Sequence, residues 1–332
     1  MRALLVSNPT AGWSRVQRQL PEALMTLRAA GWRVEWERTQ AAGSMETLAE
    51  QAAAAGYEAF IACGGDGSIN QAINGLLRGR QQGSSPPALG ILPAGTANVL
   101  ARTLGLPAPL PGPVLEPTLP AAARLLAGAV VHPVDVGEAQ SAAGRRIFLC
   151  WAGIGLDAAV AADVMAQPAL KRRLGPLSFA ANLLIRLPDL WHAPRYTLDV
   201  DGARWQGRGI VAVVSNIPRY AVVLDMAPQA ALDDGLLDVA FFHNVTLWNA
   251  GATLARLLLH RHPSDPNAHY AQARRIEIVT ARPEPVHLDA EPFGQTPLTI
   301  SVLPAALPLL LPRTTAGRRL LVGRGGSAFT TS

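Results

Sequence analysis

Ala59-Phe60-Ile61-Ala62-Cys63-Gly64-Gly65-Asp66-Gly67-Ser68-Ile69-Asn70-Gln71-Ala72-Ile73-Asn74-Gly75-Leu76 decides how the chain is read. Ala59–Cys63 is a short apolar run with the pattern of a buried strand. Ile69, Ile73, Leu76 and Leu77 recur at the three-to-four spacing of one helix face. Between them stands a loop of three glycines and one aspartate. Glycines let the backbone approach a ligand closely, and the helix that follows aims its first N–H groups at an anion. One such loop is a weak signal, because a glycine at a strand end is often only a tight turn.

The flanking sequence repeats the unit. Upstream, Arg2–Ser7 reads as a strand, Asn8-Pro9-Thr10-Ala11-Gly12 as a turn, and Val16, Leu20, Ala23, Leu24 and Leu27 as the buried face of a helix. Val34 and Trp36 alternate with charged residues as a second strand, and Ser44 is placed to cap the next helix. Downstream, Ala88–Leu92 is a strand that ends in Pro93-Ala94-Gly95-Thr96, with a helix after it. This alternation predicts a parallel, three-layer α/β domain. Ligands of such sheets sit beyond the carboxyl ends of the strands. Three of the four strand ends, 8–12, 64–70 and 93–98, carry loops suited to a phosphate. Asp66 could hold Mg²⁺, and Ser68 and Thr96 could donate to phosphate oxygens.

A Pro-rich stretch from Pro107 to Pro120 breaks the pattern, and a short helix (Ala121–Ala127) follows. Beyond it the signal is mostly strands: Val134–Glu138, Ile147–Ala152, Tyr196–Val200, Ile210–Ser215, Leu237–Phe242, Arg275–Val279, Val286–Asp289 and Leu298–Val302. Asp201-Gly202 is a hairpin turn between two of them. Helices are expected near Leu170–Leu187 and Val245–Leu259. The economical architecture is an antiparallel β-sandwich. The domain boundaries read as 1–131 for the α/β nucleotide-binding domain, rejoined at 304–312, 132–303 for the sandwich, and 313–332 for a basic tail.

Composition narrows the chemistry. Lys and Arg outnumber Asp and Glu by 29 to 24, and Arg313, Arg318, Arg319 and Arg324 supply four of the five excess charges. The body is therefore nearly neutral, which argues against a nucleic-acid partner. Lys171 is the only lysine. Neither glycine loop contains one, so a Walker A loop and a protein-kinase fold are both excluded. Cys63 and Cys150 lie in apolar runs and read as buried free thiols of a reducing compartment. The N-terminus lacks the pattern of a signal peptide, and no apolar stretch is long enough to span a bilayer. A soluble, cytoplasmic protein with peripheral membrane contact at most is the expectation. The 170–187 segment pairs Leu174, Leu177, Leu183, Leu184 and Leu187 with Lys171, Arg172, Arg173 and Arg186; it suits a membrane surface or a helix packed on the sandwich. His132, His192, His243, His260, His262, His269 and His287 show no metal-ligand spacing and read as surface or core residues.

The motifs resemble a known family. Residues 63–76 look like the GGDGT-x-N-E-V-x-N-G-L signature of the diacylglycerol-kinase catalytic domain, whose superfamily also holds sphingosine, ceramide and bacterial lipid kinases. Leu89–Arg102 resembles its G-x-x-P-x-G-T-x-N-D-x-A-R block, and Asn8-Pro9-x-x-Gly12 its first strand end. Gly153–Ala158 and Asp233–Val239 match blocks of its second domain, and Leu288-Asp289-Ala290-Glu291 stands where the family has D-G-E. The matches run in family order to about Pro312.

The resemblance implies an ATP-dependent kinase acting on a lipid hydroxyl, with ATP on the first domain and the proton acceptor on the second. It assigns nucleotide binding to Asn8, Pro9, Gly12, Thr39, Gly64, Gly65, Asp66, Gly67, Ser68, Ile69, Asn70, Gly95, Thr96 and Asn98. Asp66 would also serve catalysis. Glu291, with Asp289 beside it, would take the proton from the lipid. Asp234, with the carbonyls of Ala231 and Leu236, would hold a structural Mg²⁺. The lipid substrate is the partner it implies, and a homodimer stays open. Ser68 replaces the family Thr, Gln71 its Glu, Val99 its Asp and Ala290 its Gly; Trp13 stands where a basic residue is usual. These departures bear on substrate identity and rate. Two other readings share the GGDG loop: a soluble-substrate kinase of the NAD kinase type, and a nucleotide-binding regulator without catalysis.

Overall fold

The structure, a computed structural model, describes the chain except residues 10–12, 42, 82, 110–117, 167–181, 183–184, 187–191, 221–223, 247 and 323–332. Contacts gather it into two bodies. The first comprises Met1–Asp135, Leu232–Asp234 and the described residues from Pro304 on; the second comprises Val136–Ala231 and Gly235–Leu303.

The first body is built on strands apolar enough to be covered on both faces. β1 (Arg2–Ser7), β3 (Ala59–Gly64) and β4 (Ala88–Pro93) are buried almost throughout, whereas β2 (Arg33–Arg38) buries only Val34 and forms the edge. They pair in parallel in the order β2-β1-β3-β4, as expected of strands that read as continuous hydrophobic runs. Helices α1 (Trp13–Ala29), α2 (Ser44–Ala54), α3 (Asp66–Gly79), α4 (Val99–Thr103) and α5 (Thr118–Ala127) complete the layers. The α1 face read from the sequence is the buried one, with Val16, Leu20, Ala23, Leu24 and Leu27 all in the core. Ser44 does not cap α2. The cap position is Gly43 in the left-handed region, and the Ser44 hydroxyl instead accepts from the Ala41 amide at 3.0 Å.

The second body is an antiparallel sandwich of β5 (Val130–Ser141), β6 (Gly144–Phe148), β7 (Trp151–Gly155), β8 (Arg195–Val200), β9 (Ala203–Ser215), β12 (Leu237–His243), β13 (Ala268–Ala273), β14 (Arg275–Thr280), β15 (Pro285–Leu288), β16 (Glu291–Gln295) and β17 (Leu298–Leu311). Two short strands, β10 (Arg219–Tyr220) and β11 (Leu224–Asp225), pair with each other. β9 belongs to both layers. Its first half pairs with β8, and its second half lies between β7 and β12. The crossing point is Gly209, where a Cβ would meet Tyr196 and Phe241. Alternate residues of the layers, among them Ile154, Leu198, Val214, Phe241, Ile276, Leu288 and Ile300, form one core cluster. β5 and β17 are shared strands: each begins in one body and ends in the other. The last part of β17 pairs in parallel with β4 through Leu309 and Leu89.

Three local readings change. Ile147–Ala152 is not one strand but the end of β6 and the start of β7, with a bend at Leu149-Cys150. Leu156–Ala166 is a helix, α6, that the sequence pattern did not signal. The helix near Val245–Leu259 is shorter, and runs as α7 over Ala250–Leu258. Most of the 170–187 segment lies outside the described residues. Both cysteines are buried and free, and burial pushes the Cys63 thiol up to about 12. Among the described residues no helix is long and apolar enough to cross a membrane.

Candidate functional site

The parallel order brings the ends of β1, β3 and β4 side by side. Ser7 pairs with Cys63, and Gly64 with Pro93. The backbone continues this pairing into the loops: Asn8 N donates to the Cys63 carbonyl at 3.0 Å, and Ala94 N to the Gly64 carbonyl at 2.9 Å. Gly65 and Gly95 then meet backbone to backbone. A Cβ on Gly65 would stand 3.2 Å from Gly95 Cα, and one on Gly95 would run into Gly65 Cα. At Gly95 no side chain fits between the two loops, and at Gly65 a Cβ makes a tight contact that the neighbouring backbone must yield to.

Polar side chains fix this contact. Asn98, 1% exposed and in the left-handed region (φ 47°), accepts from Gly95 N at 2.9 Å and donates to the Gly95 carbonyl at 2.7 Å. The Asp66 carboxylate accepts from the amides of Val99 (3.1 Å) and Leu100 (3.3 Å), so it ties the 64–67 loop to the segment after Gly95. Asn8 Nδ2 donates to the Ser68 hydroxyl at 3.1 Å. Ser68, Ile69 and Asn70 are buried on α3, Gly67 is half-buried at its first turn, and Thr96 is exposed at the tip of its loop. The α3 N-terminus begins at this glycine contact, and the first amides of a helix have no intrahelical acceptor. A cradle of this kind receives an anion through main-chain donors. That is the chemistry a lysine-free loop requires.

Beside it, Pro9 and Thr39 line a depression of about 280 Å³ together with Glu37, Arg38 and Gln40. Thr39 is buried, and its amide donates to the Ser7 carbonyl at 3.0 Å. Gly12 lies outside the described residues. The residues expected to hold Mg²⁺ fall in one short stretch. They are the carboxylate of Asp234 and the main-chain carbonyls of Ala231 and Leu236. One carboxylate and two carbonyls form an all-oxygen set of the kind a hard divalent cation accepts. The neighbouring Asp233 is engaged differently: its carboxylate meets His132 Nε2 at 3.1 Å and accepts from Val322 N at 2.7 Å. Among the described residues no three His, Cys, Asp or Glu side chains cluster as a metal site.

In the second body, Asp289-Ala290 is the two-residue turn between β15 and β16, with Leu288 opposite Glu291. Both turn residues have positive φ, 50° and 70°, the requirement of a type I′ hairpin. Asp289 is 3% exposed, and its carboxylate is taken up by three backbone amides. Oδ2 accepts from Leu149 N (2.9 Å), and Oδ1 from Cys150 N (2.8 Å) and Trp151 N (3.0 Å). These are the amides at the bend between β6 and β7, so this carboxylate replaces the missing ladder partner. Glu291 is different. It is half-buried, and among the described residues its carboxylate has no hydrogen-bond or ion-pair partner. The Ala290 amide donates to His287 Nδ1 at 3.2 Å. His287 is a core residue, 3% exposed, and its sequence signal is its place on the strand that leads into this turn.

Known proteins carry the same two halves in the same order. The family model of the diacylglycerol kinase catalytic domain matches residues 2–139, and that of the YegS C-terminal NAD kinase beta sandwich-like domain matches residues 151–311. A Pseudomonas aeruginosa (PAO1) protein named "Probable lipid kinase YegS-like" is 32% identical over 318 residues, 96% of this chain and 95% of that protein. The diacylglycerol kinase of Bacillus subtilis (strain 168) is 29% identical over 296 residues, 89% of this chain and 91% of that protein. The crystal structure of a diacylglycerol kinase from Bacillus anthracis str. Sterne shares the fold at a TM-score of 0.69 and 21% identity, covering 93% of this chain and 96% of that one. With both halves matched, and one relative above 30% identity along nearly the whole length, the chain belongs to the diacylglycerol kinase and YegS-like lipid kinase family.

Proposed function

We propose that the protein transfers the γ-phosphate of ATP to the hydroxyl of a lipid, with diacylglycerol as the first candidate acceptor. The observation that carries this reading is the backbone contact of Gly65 and Gly95 at the N-terminus of α3. It is a phosphate cradle built from main chain alone, in a family whose named members are lipid kinases. Asp66, Asn98 and the Asn8–Ser68 pair hold the loops in register, and the depression at Pro9 and Thr39 receives the nucleoside. Glu291 takes the proton as the lipid oxygen bonds to phosphorus and the bond to the leaving ADP oxygen breaks. Asp289, its oxygens occupied by three amides, anchors the turn that presents Glu291. Mg²⁺ on Asp234 and the carbonyls of Ala231 and Leu236 would supply positive charge and rigidity to that stretch.

Peripheral contact with the membrane is part of the proposal. On α7, Thr253 and Leu257 face inward. Leu254, Leu258 and the adjoining Leu259 are about half exposed or more, and Trp248 is 97% exposed. An apolar outer face beside Arg261, with a tryptophan at its edge, suits a bilayer surface.

The test is label transfer from ATP. Phosphate should enter a chloroform-soluble product with diacylglycerol, sphingoid base or phosphatidylglycerol as acceptor. Transfer to NAD alone, the activity suggested by the description of the sandwich family, would sink the lipid reading. Gly65→Val should abolish ATP binding by calorimetry while the circular dichroism spectrum stays native, because a branched side chain fills the cradle.

A further inference from the structure

His287 is 3% exposed, and its two ring nitrogens have unlike partners. Nδ1 accepts the Ala290 main-chain N–H at 3.2 Å, and Nε2 stands 2.6 Å from Asp157 Oδ2. A nitrogen that accepts an N–H must present a lone pair. The ring is therefore neutral, with its proton on Nε2 and directed at the Asp157 carboxylate. Tyr220 closes the group, with its hydroxyl 3.4 Å from Nε2. Burial pushes the phenol well above its ordinary value and the Asp157 charge adds to this, so Tyr220 stays protonated and donates to Asp157. Room for the pair comes from Gly153, where a Cβ would overlap both the Asp157 carboxylate and the His287 ring.

We infer that Asp157 locks the tautomer of His287, and that the pair are positioning residues that hold the Asp289-Ala290 turn and thereby aim Glu291. The inference rests on Glu291 being the proton acceptor. The Ala290 amide has no acceptor within a two-residue hairpin loop, and Ala290 occupies a left-handed conformation that L-residues disfavour. His287 Nδ1 supplies the missing acceptor, and Glu291 is the next residue along the chain. An amide at position 157 whose oxygen accepts the Tyr220 hydroxyl turns its NH₂ toward Nε2. The ring proton would then sit on Nδ1, opposing the Ala290 N–H donor to donor. The same molecule repeats the arrangement elsewhere: in the Asp201-Gly202 hairpin the second amide, Gly202 N, donates to Asp199 Oδ1 at 2.8 Å. A carboxylate accepts in any orientation. An imidazole accepts only as the correct tautomer, so it needs Asp157.

The experiment combines ¹⁵N NMR of the His287 ring with steady-state kinetics. In the wild type, Nδ1 should be the unprotonated nitrogen. Asp157→Asn should move the proton to Nδ1 and lower kcat about ten- to a hundredfold, the scale of a misplaced catalytic group, with KM for ATP unchanged. His287→Gln, whose amide reaches the Nε2 position and leaves nothing at Nδ1, should lose as much. His287→Asn, whose oxygen falls near Nδ1, should recover most of that loss. A wild-type ring protonated on Nδ1 would overturn the inference. So would an Asp157→Asn enzyme of normal turnover in a background where Glu291→Gln is inactive. If Glu291→Gln itself turns over normally, the proton acceptor is misassigned, and the ring tautomer in wild type and Asp157→Asn still decides the lock.

Discussion

The sandwich contains two hairpins of nearly identical construction, and the proposed proton acceptor follows only one of them. At Asp201-Gly202 and at Asp289-Ala290 a two-residue loop has positive φ at both positions. In each, the aspartate amide donates to a neighbouring carbonyl, Arg275 O in one and Trp151 O in the other. In each, the aspartate carboxylate gathers amides of the adjacent strand: Arg274 and Arg275 for Asp201, and Leu149, Cys150 and Trp151 for Asp289. The first turn is exposed and continues into Ala203. The second is buried at its aspartate and continues into Glu291. What they share is a way of stitching strands, which accounts for Asp289. What differs is the glutamate, and the catalytic reading attaches to that difference.

The comparison can be broken most sharply at Glu291. Glu291→Gln keeps shape and hydrogen bonding but removes the basic oxygen. kcat should fall by roughly a hundred- to ten-thousand-fold with the melting temperature unchanged. Wild-type turnover in this variant would end the proton-acceptor assignment. Next in size is Asp289→Asn. It puts an NH₂ where a backbone amide already donates in a buried site, and should cost about 2–4 kcal/mol in denaturant unfolding of the sandwich. Asp201→Asn, at the exposed copy of the turn, should cost about 1 kcal/mol or less. Equal losses at the two sites would show that burial does not distinguish them. The smallest effect is a gain. Ala290→Gly relieves a left-handed alanine and should stabilise by about 1 kcal/mol, whereas Gly202→Ala should destabilise by a similar amount. If the alanine proves the more stable choice at 290, the His287 acceptor and the Asp289 anchor more than offset its strain.

The sequence pattern reached the α/β body well, because its signals are local. Apolar runs such as Ala59–Cys63 end directly in glycine loops, and the α1 face keeps one phase over three turns. It reached the order of the sandwich strands less well. β13 (Ala268–Ala273) is a half-buried strand that pairs, among the described residues, with β12 alone, and its composition gives no strict alternation of apolar and polar residues. In α6 the two aspartates, Asp157 and Asp163, are spread among apolar residues rather than gathered on one side, so no face stands out. The bend at Leu149-Cys150 has no local cause. The carboxylate that takes up those amides lies 138 to 140 residues away. The same holds for the site. Asp289 and Glu291 are acids two positions apart in the sequence, and only the hydrogen bonds separate an anchored carboxylate from one without a partner among the described residues. Asp157 and His287, 130 residues apart, carry no shared motif at all.

β17 has a consequence for biosynthesis. The parallel sheet of the first body gains its outermost strand only from the end of β17, through Leu309 beside Leu89. The whole sandwich is encoded between β4 and that strand. While the chain is being translated, β4 therefore presents an open, wholly buried-type edge for the time it takes to make about two hundred more residues. A ribosome that stops before residue 304 releases a parallel sheet with an unpaired apolar border. Truncation there should yield a chain that aggregates rather than a smaller working domain.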